Sequence, residues 1–163
     1  MTPRIRPKPG MDRLVANPAK DAGPTEERLG VLERFALVLL GGTLVGLLLT
    51  AAQLKPASQG FGTHQQLGLP PCTFQRWWAV RCPACGITTS WSHLMRGEPW
   101  SALEANCGGF LLALLAMIGA AGCFAAVVRG RVTSTGWFMQ LMVVGMGLSL
   151  ATATLDWLVR LFG

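Results

Sequence analysis

The reactive side chains of this chain gather in one stretch. Cys72 follows Pro70-Pro71, and nine residues on begins Arg81-Cys82-Pro83-Ala84-Cys85-Gly86-Ile87-Thr88-Thr89. A helical period begins after Gly86, which places Cys85 at a helix start. Unsatisfied N–H groups and the partial positive charge there favour thiolate. Cys82 and Cys85 in a C-x-x-C at that position suit thiol–disulfide exchange, although no βαβ pattern surrounds them as in thioredoxin-like proteins. A second chemistry is metal binding, in which Cys72, Cys82 and Cys85 with His64 form a Cys3His set for tetrahedral zinc. His93 lies more than two helical turns beyond Cys85 and is expected to point away. The third chemistry, which leads on sequence grounds, is a structural disulfide from Cys72 to Cys82 or Cys85 that pins the loop in an oxidising compartment. Gly86 stands where c-type haem attachment requires histidine, and no two-cluster cysteine run occurs for iron–sulfur.

The elements that must position these cysteines begin just C-terminal to them. Ile87, Trp91, Leu94 and Met95 share one helical face and Thr88, Ser92 and Arg96 another, which predicts a short amphipathic helix near the membrane surface. Gly97 ends it. Glu98 is expected to cap a second helix with Pro99 at its first position, continuing through Trp100, Leu103 and Asn106 into an apolar span. Asn106, an amide at the edge of hydrocarbon, is expected to satisfy backbone groups of the adjacent loop helix. Trp77, Trp78, Trp91 and Trp100 read as anchors at the headgroup level ahead of a ligand-binding aromatic box, and Arg81 and Arg96 as solvated interfacial charges ahead of contacts to lipid phosphates or an anionic substrate.

The rest of the 163-residue chain reads as membrane protein. Apolar residues make up 51% and charged residues 13%, against roughly 25% charged in soluble domains, so the bilayer is the better solvent. Three uncharged stretches, 35–54, 107–128 and 136–155, are each about 20 residues long, enough to cover about 30 Å as helices. Trp137 and Trp157 bracket the third as an aromatic belt would. Gly42 and Gly46 form a small-xxx-small pair that would admit another helix. The first stretch exceeds the 7–15 residues of a signal-peptide core and follows a long leader, so it reads as a retained span. The expected fold is an all-α membrane protein with three transmembrane helices and a short interfacial helix in the first loop. Residues 1–30 form a disordered cytoplasmic tail ahead of a membrane domain over 31–163. A short charged helix start is expected after Thr25 as cap, with Glu26, Glu27 and Arg28 in its first turn. With the N-terminus inside, nine of fourteen Lys/Arg fall in the cytoplasmic segments, and the 55–106 loop lies outside. That is the pattern of a multi-pass membrane protein with a cytoplasmic N-terminus.

From Pro70 to about Leu115 the chain resembles a family of small bacterial membrane proteins known as domain of unknown function 2752. The matching positions are Cys72, Cys82, Pro83, Cys85, Gly86, Thr88, Gly97 and Asn106. Glu98 stands in place of the family's aspartate, Thr89 in place of its arginine and Cys107 in place of a proline. The resemblance implies a membrane location and a cysteine loop, and no reaction.

Function classes narrow accordingly. The span interiors hold no Asp, Glu, Lys, Arg or His, which argues against a proton-coupled transporter or ion pump. No P-loop, HExxH, GxSxG or Rossmann glycine pattern occurs. The net charge of +6 comes from residues flanking apolar segments, so the expected partner is the lipid bilayer and not nucleic acid. Cys107 and Cys123 fall on different faces of the second span and read as packing residues. Asp156 and Arg160 are placed to pair at i,i+4. The working reading is a non-enzymatic accessory component without cofactor, docking a membrane-protein partner or a second copy of itself. A thiol oxidoreductase and a zinc module stand as alternatives.

Overall fold

The structure, a computed structural model, describes residues 26–133 and 136–162. Three long helices carry the fold: α1 (Val31–Gln53), α5 (Cys107–Arg129) and α6 (Gly136–Phe162). All three are long and apolar enough to cross a membrane. Between α1 and α5 the chain forms a 3₁₀ turn (Thr63–Leu67), α2 (Thr73–Trp78), α3 (Ile87–Met95) and α4 (Pro99–Ala105). The expected all-helical membrane fold with three spans is therefore what the chain adopts.

Each long helix has an apolar outer surface. Leu39, Leu40, Leu47 and Leu49 of α1 and Val143, Val144, Leu148 and Leu150 of α6 are exposed. A water-soluble bundle would bury such residues; here hydrocarbon solvates them. α5 lies between α1 and α6, and small residues set the distances. At Gly108 an added Cβ would collide with the Ser149 carbonyl and with Ala153, and Ser149 Oγ donates to the Gly108 carbonyl at 2.7 Å. Close backbone approach through small residues is how helices associate where the hydrophobic effect is absent. On α1 the glycine packed against α5 is Gly41, against Cys123 and Phe124. The expected pair Gly42 and Gly46 has no described neighbour within 4 Å.

Several boundaries and placements differ from the sequence expectation. The expected helix start at 26–28 is instead a strand, β1 (Glu26–Arg28), paired antiparallel with β2 (Arg131–Thr133) in the register Glu27↔Val132. The backbone groups of these residues are satisfied across the turn between α5 and α6, a pairing with no local signal. The first 25 residues, with the Thr25 cap, lie outside the described residues. α1 starts at Val31, where Glu33 accepts from the Gly30 N–H at 2.9 Å. α6 runs to Phe162, past the expected end of the span, and Asp156 and Arg160 pair along it. The side chain of Trp137 lies outside the described residues.

α3 is packed more closely than its amphipathic pattern alone predicts. Trp91 is buried against Leu48, Ala51, Ala113 and Ala116, so α3 is wedged between α1 and α5. Its polar face is also buried, with Thr89, Ser90 and Ser92 at zero exposure. Burial is tolerated where hydrogen bonds replace water, as at Thr89 and Ser92, whereas Ser90 Oγ has no hydrogen-bond partner among the described residues. Ser92 Oγ and Arg96 Nη2 both donate to the carbonyl of Leu54, at 2.6 and 2.9 Å, where α1 ends with unsatisfied carbonyls. Trp91 Nε1 donates to the Gly109 carbonyl at 2.9 Å, so it is a core residue and not a headgroup anchor. Trp77, Trp78 and Trp100 remain exposed. Glu98 sits at the expected cap position of α4, but its carboxylate pairs with His93 Nδ1 at 2.6 Å and makes no cap bond. α4 also does not run continuously into the span. Asn106 is extended (φ −167°, ψ 111°) and breaks the chain between α4 and α5.

Candidate cysteine centre

The site is built around that break. Asn106 is 2% exposed and uses both ends of its amide. Its Oδ1 accepts from the Gly109 N–H at 2.6 Å and so caps α5. Its Nδ2 donates to the carbonyls of Pro83 and Cys85 at 3.0 and 3.1 Å. One side chain thus starts the second span and clamps the Cys82–Cys85 turn onto it. Asn106 was expected to serve backbone groups of the adjacent loop helix; its partners are instead the cysteine turn and the first turn of α5.

The turn itself is tight. Cys85 N–H donates to the Cys82 carbonyl at 3.0 Å, and the Cys82 N–H reaches Cys85 Sγ at 3.3 Å. Gly86 follows at φ +98°, packed so closely that a Cβ would lie 2.6 Å from the Ala105 carbonyl and 2.9 Å from that of Gly60. Both the positive φ and the close approach demand glycine here. Beyond it, Thr89 Oγ1 lies 2.8 Å from Thr63 Oγ1, which in turn accepts from the Ala57 N–H at 3.0 Å. Thr89, where the resembling family has arginine, therefore ties α3 to the start of the loop.

Cys72 arrives from the other side, as the residue before α2, and its thiol completes a cluster. The sulfur atoms of Cys72, Cys82 and Cys85 all lie within 4.8 Å of one another, with Cys82 and Cys85 Sγ 3.1 Å apart. All five cysteines are free thiols. The thiols differ electrostatically. Burial pushes the Cys72 thiol up, but hydrogen bonds from the Gln75 and Phe74 backbone and from Cys82 and Cys85 outweigh it and leave the pKa lowered. Burial, reinforced by the hydrogen bond with the Cys82 thiol, pushes Cys85 up to about 12.

The other expected ligands stay apart. His64 Nε2 lies 3.3 Å from the Pro70 carbonyl and does not join the sulfur cluster. His93 is held by Glu98. Cys107 Sγ donates to the Leu103 carbonyl, and Cys123 is buried against α1, so neither belongs to the centre. Of the motif residues, Cys72, Cys82, Pro83, Cys85, Gly86 and Asn106 converge. Thr88 and Gly97 make no contact with the sulfurs that would assign them a role. Thr63, Gly60 and Gly109 were not legible as site residues. They bear on the site through a backbone carbonyl (Gly60), a backbone N–H (Gly109) and a buried hydroxyl (Thr63) that only the folded chain brings near.

Residues 72–120 match the family model described as protein of unknown function (DUF2752). The matched segment begins at the first clustered cysteine and ends within α5. The DUF2752 segment thus contains all three clustered thiols, the Asn106 clamp and the larger part of the span that the clamp starts. No curated protein and no solved structure matches the chain.

Proposed function

We propose that this protein is a membrane-anchored metal-binding module in which Cys72, Cys82 and Cys85 hold a thiophilic divalent cation, zinc in the first place. The observation that carries the reading is the convergence of three sulfurs, from two separate loop segments, within 4.8 Å. A structural disulfide needs two thiols and leaves the third without a purpose at that distance. Tetrahedral zinc has Zn–S bonds of about 2.3 Å and hence sulfurs about 3.8 Å apart, so three thiolates need only small shifts to close on one ion. The Asn106 clamp and the Gly86 turn hold two of the donors before any ion arrives. Such preorganisation lowers the entropy cost of binding. Three protein ligands leave a fourth position for water, a small ligand or a donor from a partner protein. That open position fits an accessory component that engages a partner through its metal.

The charge distribution supports an extracytoplasmic centre. With nine of fourteen Lys/Arg in the N-terminal segment and the α5–α6 turn, that end is cytoplasmic and the cysteine loop faces outward.

The test is metal content and cysteine state in protein purified gently in detergent. About one zinc per chain is expected, and replacement by Co²⁺ should give a thiolate-to-metal charge-transfer band. Cys72→Ser should abolish that band, and His64→Ala should leave it unchanged. Metal-free protein carrying a disulfide from Cys72 to Cys82 or Cys85 would overturn the proposal.

One observation favours a second reading, thiol–disulfide exchange. Cys72 combines slight burial with a lowered pKa next to a C-x-x-C pair, the properties of an attacking thiolate. Cys85→Ala should then trap mixed disulfides with partner proteins. Absence of trapped partners under alkylating quench would remove this reading.

A further inference from the structure

A second site lies where the end of α6 meets the loop. Trp157 Nε1 donates to the Arg81 carbonyl at 2.5 Å, and Arg160 Nη2 donates to the Glu104 carbonyl at 2.7 Å. Between these two ties runs an open groove of about 570 Å³, lined by Ala79, Val80, Arg81, Trp157, Arg160 and Leu161. That size falls within the roughly 300–1,000 Å³ of small-molecule sites.

The lining is amphipathic in a particular way. Val80, Trp157 and Leu161 supply apolar wall, and among the described residues the charged ones that line it are two arginines. Both guanidiniums are held in place. Arg81 Nη2 donates to the Gln59 carbonyl at 3.0 Å, and its guanidinium carbon lies 4.1 Å from the centre of the Phe61 ring. Arg160 Nε pairs with Asp156 at 3.0 Å. A guanidinium has five N–H donors, so each keeps further donors after these bonds. Asp156 offsets part of the Arg160 charge, but no carboxylate of the described residues lines the groove. The adjoining cavity of about 350 Å³ shares both arginines yet adds Glu104 and the polar residues Ser58, Gln59 and His93. It therefore suits an anion less well.

We propose that this groove binds a phosphate ester, the headgroup phosphate of an anionic phospholipid. Arg81 and Arg160 take the phosphate oxygens, and Val80, Trp157 and Leu161 cover the adjoining apolar part of the lipid. Forked guanidinium donors match phosphate oxygens. The groove stands at the end of a candidate span, where lipid phosphates lie. This site shares no side chain with the cysteine centre, and it stands or falls independently of the metal.

The test is lipid retention by native mass spectrometry after release from nanodiscs of phosphatidylglycerol mixed with phosphatidylcholine. Preferential retention of phosphatidylglycerol is expected, reduced about fivefold in Arg81→Gln and in Arg160→Gln at unchanged thermal stability. Leu161→Trp, which fills the groove and removes no charge, should reduce it as well. This variant guards against the case in which an arginine variant misfolds. Displacement of the lipid by inorganic phosphate would support the phosphate site and assign it a soluble ligand. Equal retention of both lipids, or retention untouched by Leu161→Trp, would overturn the proposal.

Discussion

The loop and the spans of this molecule are held by different means. In the spans, side chains point outward into hydrocarbon, and specificity rests on where a Cβ is absent: Gly108 against Ser149 and Ala153, Gly41 against Cys123. In the loop, contacts are polar, directional and distant in sequence: Asn106 to Pro83 and Cys85, Thr63 to Thr89, Arg96 to Leu54. The difference shows where precision is required. Two apolar helices can slide or rotate slightly at small cost, whereas an amide bound to two carbonyls and an N–H allows one geometry. The cysteine turn is attached to the second kind of contact.

The sharpest way to break this contrast is Asn106→Leu. It leaves two carbonyls and one N–H unpaired in a buried site, at about 1–3 kcal/mol each before relaxation. Thermal unfolding in detergent should shift more than for any single substitution in the spans, and the Cys82 and Cys85 thiols should become rapidly alkylated. An unshifted transition would mean that the loop is held by something other than this clamp.

Next in size is Gly108→Ala. The added methyl has no room beside Ser149 and Ala153 and should cost about 1–3 kcal/mol through strain, read as a lowered midpoint. Gly42→Ala, which meets open space, should stay within about 0.5 kcal/mol and serves as its control.

The thiols sharpen the comparison inside the loop itself. In metal-free, reduced protein near pH 8, Cys72 should be alkylated at least about a hundredfold faster than Cys85, because only thiolate reacts. A Cys85 pKa raised from 9.0 to about 12 also makes a statement about stability. The folded state favours the neutral thiol, so this contribution is full below about pH 9 and is lost as pH rises toward 12. Peptide mapping after timed alkylation at several pH values would show the order; equal rates would refute it.

Among the polar contacts of the loop, the smallest effect is expected for Ser92→Ala. The Leu54 carbonyl keeps its bond from Arg96, so the loss should be about 1 kcal/mol and should leave the cysteine environment unchanged.

Much of this architecture was legible in the residues. Twenty uncharged apolar residues in a row announce a span whatever they later pack against, and Cys-Pro-x-Cys-Gly announces a tight turn at a helix start. Asn106 stood out because an amide beside hydrocarbon needs partners. What stayed hidden depends on tertiary pairing. α3 has one apolar and one polar face, which reads equally as a helix at an interface or one wedged between helices; the partners of Ser92 and Arg96 lie at Leu54, far back in the chain. β1 pairs with β2 across more than a hundred residues, and three residues carry too little pattern to reveal it. Gly41, Gly42 and Gly46 are equivalent by composition, and only the rotation of α1 decides which of them faces α5. His64 matched the zinc stoichiometry but not the placement.

The double bond received by the Leu54 carbonyl has a consequence for biogenesis. The donors, Ser92 and Arg96, are made 38 and 42 residues after their acceptor. Asn106 and Gly109, which organise the cysteine turn, come later still. With the loop facing outward as proposed, a chain emerging from the ribosome inserts its first span with an uncapped end and translocates all three thiols before the residues that arrange them are in place. During that interval the thiols meet whatever oxidants or ions the compartment supplies, and arrival of the second span closes the window.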